Sequence, residues 1–120
     1  MVNYREISLS SRHRTHWIDI TVEVQEVLDQ FSVRRGICTI SSLHTTAGIT
    51  ANENADPDVG RDFFYKLNQM VGRDDPGFNH GEGNSDSHIK ASLVGLSAMV
   101  PVIDRKLVLG TWQSIYFCEF

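Results

Sequence analysis

The chain has 120 residues, 41% of them hydrophobic and 22% charged, enough for one ordinary soluble core and too few for two. Its formal net charge is −4, with Lys and Arg scattered rather than gathered into a stripe, which argues against nucleic-acid binding by phosphate neutralisation. The stretch MVNYREISLSSRHR lacks an apolar signal core, and LVGLSAMVPVI is too short to span a bilayer and carries Pro101, so a cytoplasmic protein with no membrane partner is expected.

Residues 4–10, YREISLS, alternate as a first strand would. Ile20, Val24, Val27, Leu28 and Phe31 recur at helical spacing, with Asp19 or Thr21 to cap the start and Arg34-Arg35-Gly36 to close it. GICTISSLHTTAGITANEN reads as two extended segments interrupted near Ala47-Gly48, and the period of two puts Cys38, Ile40, Ser42 and His44 on one mainly buried face. ADPDVGRDFFYKLNQMV is a helix with Asp56 as N-cap, Pro57 in its first position and Val59, Phe63, Leu67 and Met70 along one side.

A Gly- and Asp-rich loop from Gly72 to Asn84 leads to a third helix, with Ser85 as N-cap and Ile89, Leu93 and Leu96 turned inward. SAMVPVIDRKLVLGTWQSIYFCEF is a hairpin turning near Asp104-Arg105-Lys106. Strands at both ends with helices between them give a single α+β domain over residues 1–120, with a mainly antiparallel sheet and about three helices. Phe120 falls inside a strand-like apolar run, so either another subunit covers that strand's edge or the chain is shorter than its natural length. Cys38 and Cys118, each in a strand-like run, read as two buried reduced thiols.

The window NHGEGNSDSHIKASLVG holds the densest chemistry. His80 and Glu82 precede a helix start while Asp86 and His88 lie on its first turn, so two pairs of potential ligands face each other across a bend, with His44 as the natural third imidazole. Such a set suits a divalent metal (zinc, magnesium or manganese), but the spacing matches no standard zinc signature, and separate hydrogen-bonded histidines are the competing reading. Gly81, Gly83, Asn84 and Ser85 also form a Gly-rich bend before a helix, where free amides bind anions. Lys90 either joins that anion site or pairs with Asp86 at i,i+4. Glu53 and Asn54 are candidates for orienting a ligand, and Thr45 and Thr46 offer hydroxyls beside His44. Gln113 is a polar residue on an apolar strand face and needs a partner. No Gly-x-Ser-x-Gly elbow or Cys-His pairing supports covalent catalysis, so an enzyme here is electrostatic or metal-assisted.

With HTTAGITANENADPDV, HGEGNSDSHIKASLVG and GTWQSIYFCEF in order, the sequence resembles the YjbQ family, the secondary thiamine-phosphate synthases, over essentially its whole length. The resemblance implies an antiparallel, partly barrel-like α+β fold assembled as a homotrimer. It assigns the motif histidines to His44, His80 and His88 and the acid and amide positions to Glu53, Asn54, Glu82, Asn84 and Asp86. The Gly-Thr-Trp-Gln motif corresponds to Trp112 and Gln113. Family members usually continue past CEF with a short turn and a further basic strand, which this sequence lacks.

The implied reaction joins an aminopyrimidine-methyl diphosphate to a thiazole phosphate and releases pyrophosphate. It needs charge stabilisation more than a protein nucleophile, from a divalent ion reinforced by the Ser85 helix start and Lys90. Two alternatives stand beside it. One is a metal-dependent hydrolase with water activated by Glu53 or Glu82; the other is a trimeric metal- or ligand-binding protein without turnover.

Overall fold

The computed structural model describes residues 2–120. Among them, six strands and three helices follow in the order β1 (His16–Asp19), α1 (Thr21–Asp29), β2 (Arg35–Ser41), β3 (Ala47–Glu53), α2 (Pro57–Met70), α3 (Ser85–Val94), β4 (Ser97–Ile103), β5 (Lys106–Leu107) and β6 (Gln113–Glu119). The strands form two three-stranded sheets, ordered β1-β6-β3 and β2-β4-β5, antiparallel at every pairing. The α+β architecture with a mainly antiparallel sheet is as the sequence predicts, and the two sheets do not close into a barrel.

The central strand β6 separates two cores. Ile115 and Phe117 point to a cluster with Ile20, Val24, Ile49 and Val100, between the two sheets and α1. Tyr116, Cys118 and Phe120 point the other way, where Ala91 of α3 and Phe63, Phe64 and Leu67 of α2 cover them. A strand buried on both faces has no polar side to show, which is why QSIYFCEF reads as an almost unbroken apolar run. Trp17 of β1 anchors the second core, stacked on Tyr116 with ring centroids 4.1 Å apart. Gly60 lets α2 lie flat on that indole, since a Cβ there would sit 2.7 Å from Trp17 Cζ2.

The helix α3 is held close to β3 in the same way. A Cβ on Gly48 would sit 2.8 Å from the Gly95 carbonyl oxygen, which accepts the Ile49 N–H at 3.0 Å. This approach turns α3 the opposite way from the sequence expectation. Its inward side is Asp86, Ser87, Lys90 and Ala91, while Ile89 and Leu93 are 39% and 59% exposed and Leu96 is also exposed. Apolar spacing failed there because a mutually satisfied ion pair, rather than the leucines, fills the buried stripe. The N-cap is Asn84 rather than Ser85.

Three other expectations shift. Among the described residues, 4–10 join no ladder, although Ile7 and Leu9 do pack on the first core: alternation reports a buried face, not a paired neighbour. The first strand is His16–Asp19, and α1 ends at Asp29, so Arg35 and Gly36 open β2 instead of closing the helix. The break between β2 and β3 falls at residues 42–46, where Ser42 Oγ accepts the His44 N–H at 3.2 Å, so Ala47 and Gly48 begin β3. His44 therefore leaves the buried face on which Cys38, Ile40 and Ser42 lie and is exposed. The Asp56 cap and Pro57 start of α2 are as expected, with Asp56 Oδ1 accepting the Asp58 N–H at 2.9 Å, but Met70 is exposed. The Asp104-Arg105 turn joins β4 to β5 with φ of 51° and 67°, the left-handed pair a tight hairpin demands.

On the outer face of the second sheet, Ile37 lies opposite Pro101 and Thr39 opposite Met99, with Ile103 beyond. Ile37 and Met99 are 66% and 69% exposed, so this face is an apolar stripe open to its surroundings.

Candidate functional site

The loop from α2 and the start of α3 bring His80 and His88 together, their rings edge to face with centroids 5.3 Å apart. Glu82 Oε2 lies 3.9 Å from His80 Nε2. The two imidazoles line an open cavity of about 470 Å³ with Gly77, Phe78, Asn79, Ser85 and Ile89. Gly83, in the bend, takes φ of 71°, a left-handed conformation that favours glycine, and so turns the chain from His80 into the helix. At the start of α3, Asn84 Oδ1 is buried with no hydrogen-bond partner among the described residues, an acceptor for which an ordered water is the natural complement.

His44 is not part of this cluster. Its ring lies 6.5 Å from that of Phe117, on the face of β6 turned away from α3. Among the described residues, no three His, Cys, Asp or Glu side chains in one chain come together as a metal-ligand set. Thr45 is exposed beside His44, and the Thr46 carbonyl accepts the Phe120 N–H at 3.3 Å.

Glu53, Asn54 and Gln113 form a separate cluster at the far end of the β3–β6 ladder. Glu53 pairs with Gln113, whereas α3 docks near the Ala47–Glu119 end, six residues or about 20 Å away along the strand. The Asn54 and Gln113 side chains are hydrogen-bonded within this region, whereas Glu53 is bonded through its backbone. Asn54 Nδ2 donates to Ser114 Oγ at 2.8 Å, Gln113 Oε1 accepts the Gly110 N–H at 2.8 Å, and the Glu53 carbonyl accepts the Tyr116 hydroxyl at 3.1 Å. Gln113 thus finds the partner its position required, within its own loop, while the Trp112 side chain is exposed beside it.

Asp86 and Lys90 lie on a different side of α3 from His88. Lys90 Nζ donates to Asp86 Oδ2 at 2.9 Å and to Asn68 Oδ1 at 2.7 Å, and Arg14 reaches Asp86 Oδ1 at 3.4 Å. Burial alone would raise the Asp86 carboxyl. The Lys90 hydrogen bond and charge, the Arg14 charge and the Ser87 amide outweigh that and hold it below its ordinary value. With Thr15 and Arg73 these residues line a second cavity of about 240 Å³. Sequence reasoning anticipated the Asp86–Lys90 pair but not Arg14, Thr15, Asn68 or Arg73. These come from two segments, residues 14–15 and 68–73, both distant from α3 in sequence, and no local spacing links them to it.

The YjbQ-like UPF0047 family model matches residues 5–120. UPF0047 protein YugU of Bacillus subtilis is 43% identical over 116 residues, covering 97% of this chain and 88% of the relative. UPF0047 protein MJ1081 of Methanocaldococcus jannaschii is 45% identical over 112 residues, covering 93% and 80%. The crystal structure of an uncharacterized YjbQ/UPF0047 protein from Clostridium acetobutylicum superposes with a TM-score of 0.90 at 46% identity, over 93% of this chain and 86% of that one. Motif order, sequence identity and backbone geometry agree over the same span, and the chain belongs to the YjbQ-like UPF0047 family.

Proposed function

We propose that the chain is a metal-assisted enzyme acting on phosphorylated small molecules, a transferase of the thiamine-phosphate synthase type that works as a homotrimer in the cytoplasm. The observation that carries this reading is the pair of imidazoles, His80 and His88, 5.3 Å apart on the wall of an open cavity. Neutral imidazoles with a nearby carboxylate are a donor set for zinc or manganese, and Glu82 supplies that carboxylate. One chain offers part of a ligand set, and His44 of a second copy is the remaining imidazole of the motif.

A bound divalent ion supplies positive charge to a diphosphate leaving group. The chain's own residues do the rest. In the proposed reaction a methylene–oxygen bond to the diphosphate breaks and a bond from that carbon to the thiazole nitrogen forms. The free amides of the first α3 turn, beside Ser85, hold the departing oxyanion. Phe78 and Ile89 give the cavity an apolar wall for a ring.

Self-association is supported by the apolar stripe of Ile37, Met99, Pro101 and Ile103, which a partner's apolar face would cover. A cytoplasmic site accords with Cys38 and Cys118, which are both free thiols. The test is metal content per chain of untagged protein beside His88→Ala, with pyrophosphate release assayed on both thiamine precursors. Stoichiometric metal and two-substrate turnover, both lost in the variant, are expected. Cleavage of one precursor by water would make it a hydrolase, and binding without product would make it a binding protein; either result refutes the transferase reading.

A further inference from the structure

We propose that the cavity between the end of α2, the inward side of α3 and the segment before β1 is an oxyanion site, taking phosphate or the phosphoryl end of a phosphorylated metabolite. It is distinct from the imidazole cavity. Asp86 and Lys90 line it, whereas Ser85, His88 and Ile89 line the other. Residues 86 and 88 are two positions apart, about 200° around the helix.

Charge and donor supply both point to an anion. Arg14, Arg73 and Lys90 converge on this one cavity from three segments of an otherwise acidic chain and meet a single carboxylate, Asp86. Asp86 balances the ammonium of Lys90, both being 3% exposed, and leaves the charge of two guanidinium groups over. An ion pair that merely fastened α3 in place would need neither arginine in excess. Arg73 forms no ion pair among the described residues.

Lys90 has three N–H donors and spends two of them, on Asp86 and Asn68. Arg14 spends one of five on a long contact of 3.4 Å. Planar guanidinium forks beside an ammonium, with Thr15 also lining the cavity, match the three free oxygens of a phosphoryl group. The cavity of 240 Å³ has the volume of about eight waters, room for a phosphate and its first few waters.

The test is a proton–nitrogen NMR titration of chelator-treated protein at constant ionic strength, with inorganic phosphate in one arm and glycerol phosphate in the other. Expected are saturable shifts at Thr15, Asn68 and Arg73, including the guanidinium Nε–H signals of Arg14 and Arg73. Arg73→Gln, at an exposed position, should keep the spectrum of a folded protein and weaken binding about ten-fold. His88→Ala should leave it unchanged, so the site stands or falls apart from the metal reading. Tighter binding of glycerol phosphate identifies a phosphorylated metabolite, and tighter or equal binding of inorganic phosphate identifies the free ion; both support the site. Shifts confined to residues 79–85, a linear response without saturation, or equal affinity in Arg73→Gln and Arg14→Gln would overturn it.

Discussion

Replacing Lys90 by Met keeps the side-chain length and removes its charge. The Asp86 carboxylate then stays buried with Arg14 alone, 3.4 Å from its Oδ1. Breaking a buried pair by removing one partner costs about 3–5 kcal/mol. Because Arg14 remains and a cavity adjoins, the low end applies here, about 3 kcal/mol, which for a domain of this size lowers Tm by roughly 12 °C. Removing both charges, in Asp86→Leu/Lys90→Met, should return stability to within about 1 kcal/mol of the parent, a coupling of about 2 kcal/mol or more.

The pH dependence has a definite sign. Asp86 is held below its ordinary pKa, so its contribution is present above the unfolded value of about 3.9 and is lost as pH falls through the lower folded value. The stability gap between parent and Lys90→Met should therefore be full at pH 7 and close below about pH 4. Urea unfolding followed by circular dichroism at a series of pH values reads both quantities. A loss under about 1 kcal/mol at pH 7, or a gap that does not narrow in acid, would refute the idea that this pair is buried and coupled.

Gly48→Ala should cost about 1–3 kcal/mol in the same assay, because its Cβ meets the Gly95 backbone oxygen and Val94 and α3 must shift; parental stability would show that the contact is loose. Arg105→Gly should raise stability by about 1 kcal/mol, since a non-glycine residue holds φ of 67° in the β4–β5 turn, and a lower Tm would mean that the arginine side chain makes a contact worth more than the strain. Burial pushes the Cys118 thiol up to about 12, so it should resist alkylation in native protein at pH 8 and react once urea unfolds the chain; native-state labelling of Cys118 would mean that the second core opens. His88→Ala should lose metal while keeping the parental Tm within a few degrees, as the ring lies on a cavity wall, and a collapse in Tm would make His88 a structural residue.

Much of the architecture was legible because local signals and tertiary demands coincide. Asp56-Pro57 starts α2 wherever that helix packs, since the cap bond and the fixed proline φ are local. The run from Gln113 to Phe120 reads as a strand because β6 is apolar on both sides. Legibility failed where burial was decided by a partner distant in sequence. Residues 4–10 alternate and partly bury Ile7 and Leu9, yet among the described residues no neighbouring strand meets their backbone. The helix α3 shows apolar residues to solvent because Gly48 and Gly95 bring its other side onto β3.

The candidate site divides in the same way. The sequence by itself determined which chemistry is present: His80, Glu82 and His88 lie within one bend and one helical turn, and short chain length alone keeps them neighbours. It also determined the Asp86–Lys90 pair, because helical geometry sets residues four apart side by side. Only the tertiary structure decided which of these groups share a cavity. It set His44 against Phe117, moved Glu53, Asn54 and Gln113 to the far end of the ladder, and drew Arg14 and Arg73 to Lys90. The physical reason is range: hydrogen bonding and side-chain periodicity act over a few residues, whereas burial and charge balance are set by whatever segment the fold brings alongside.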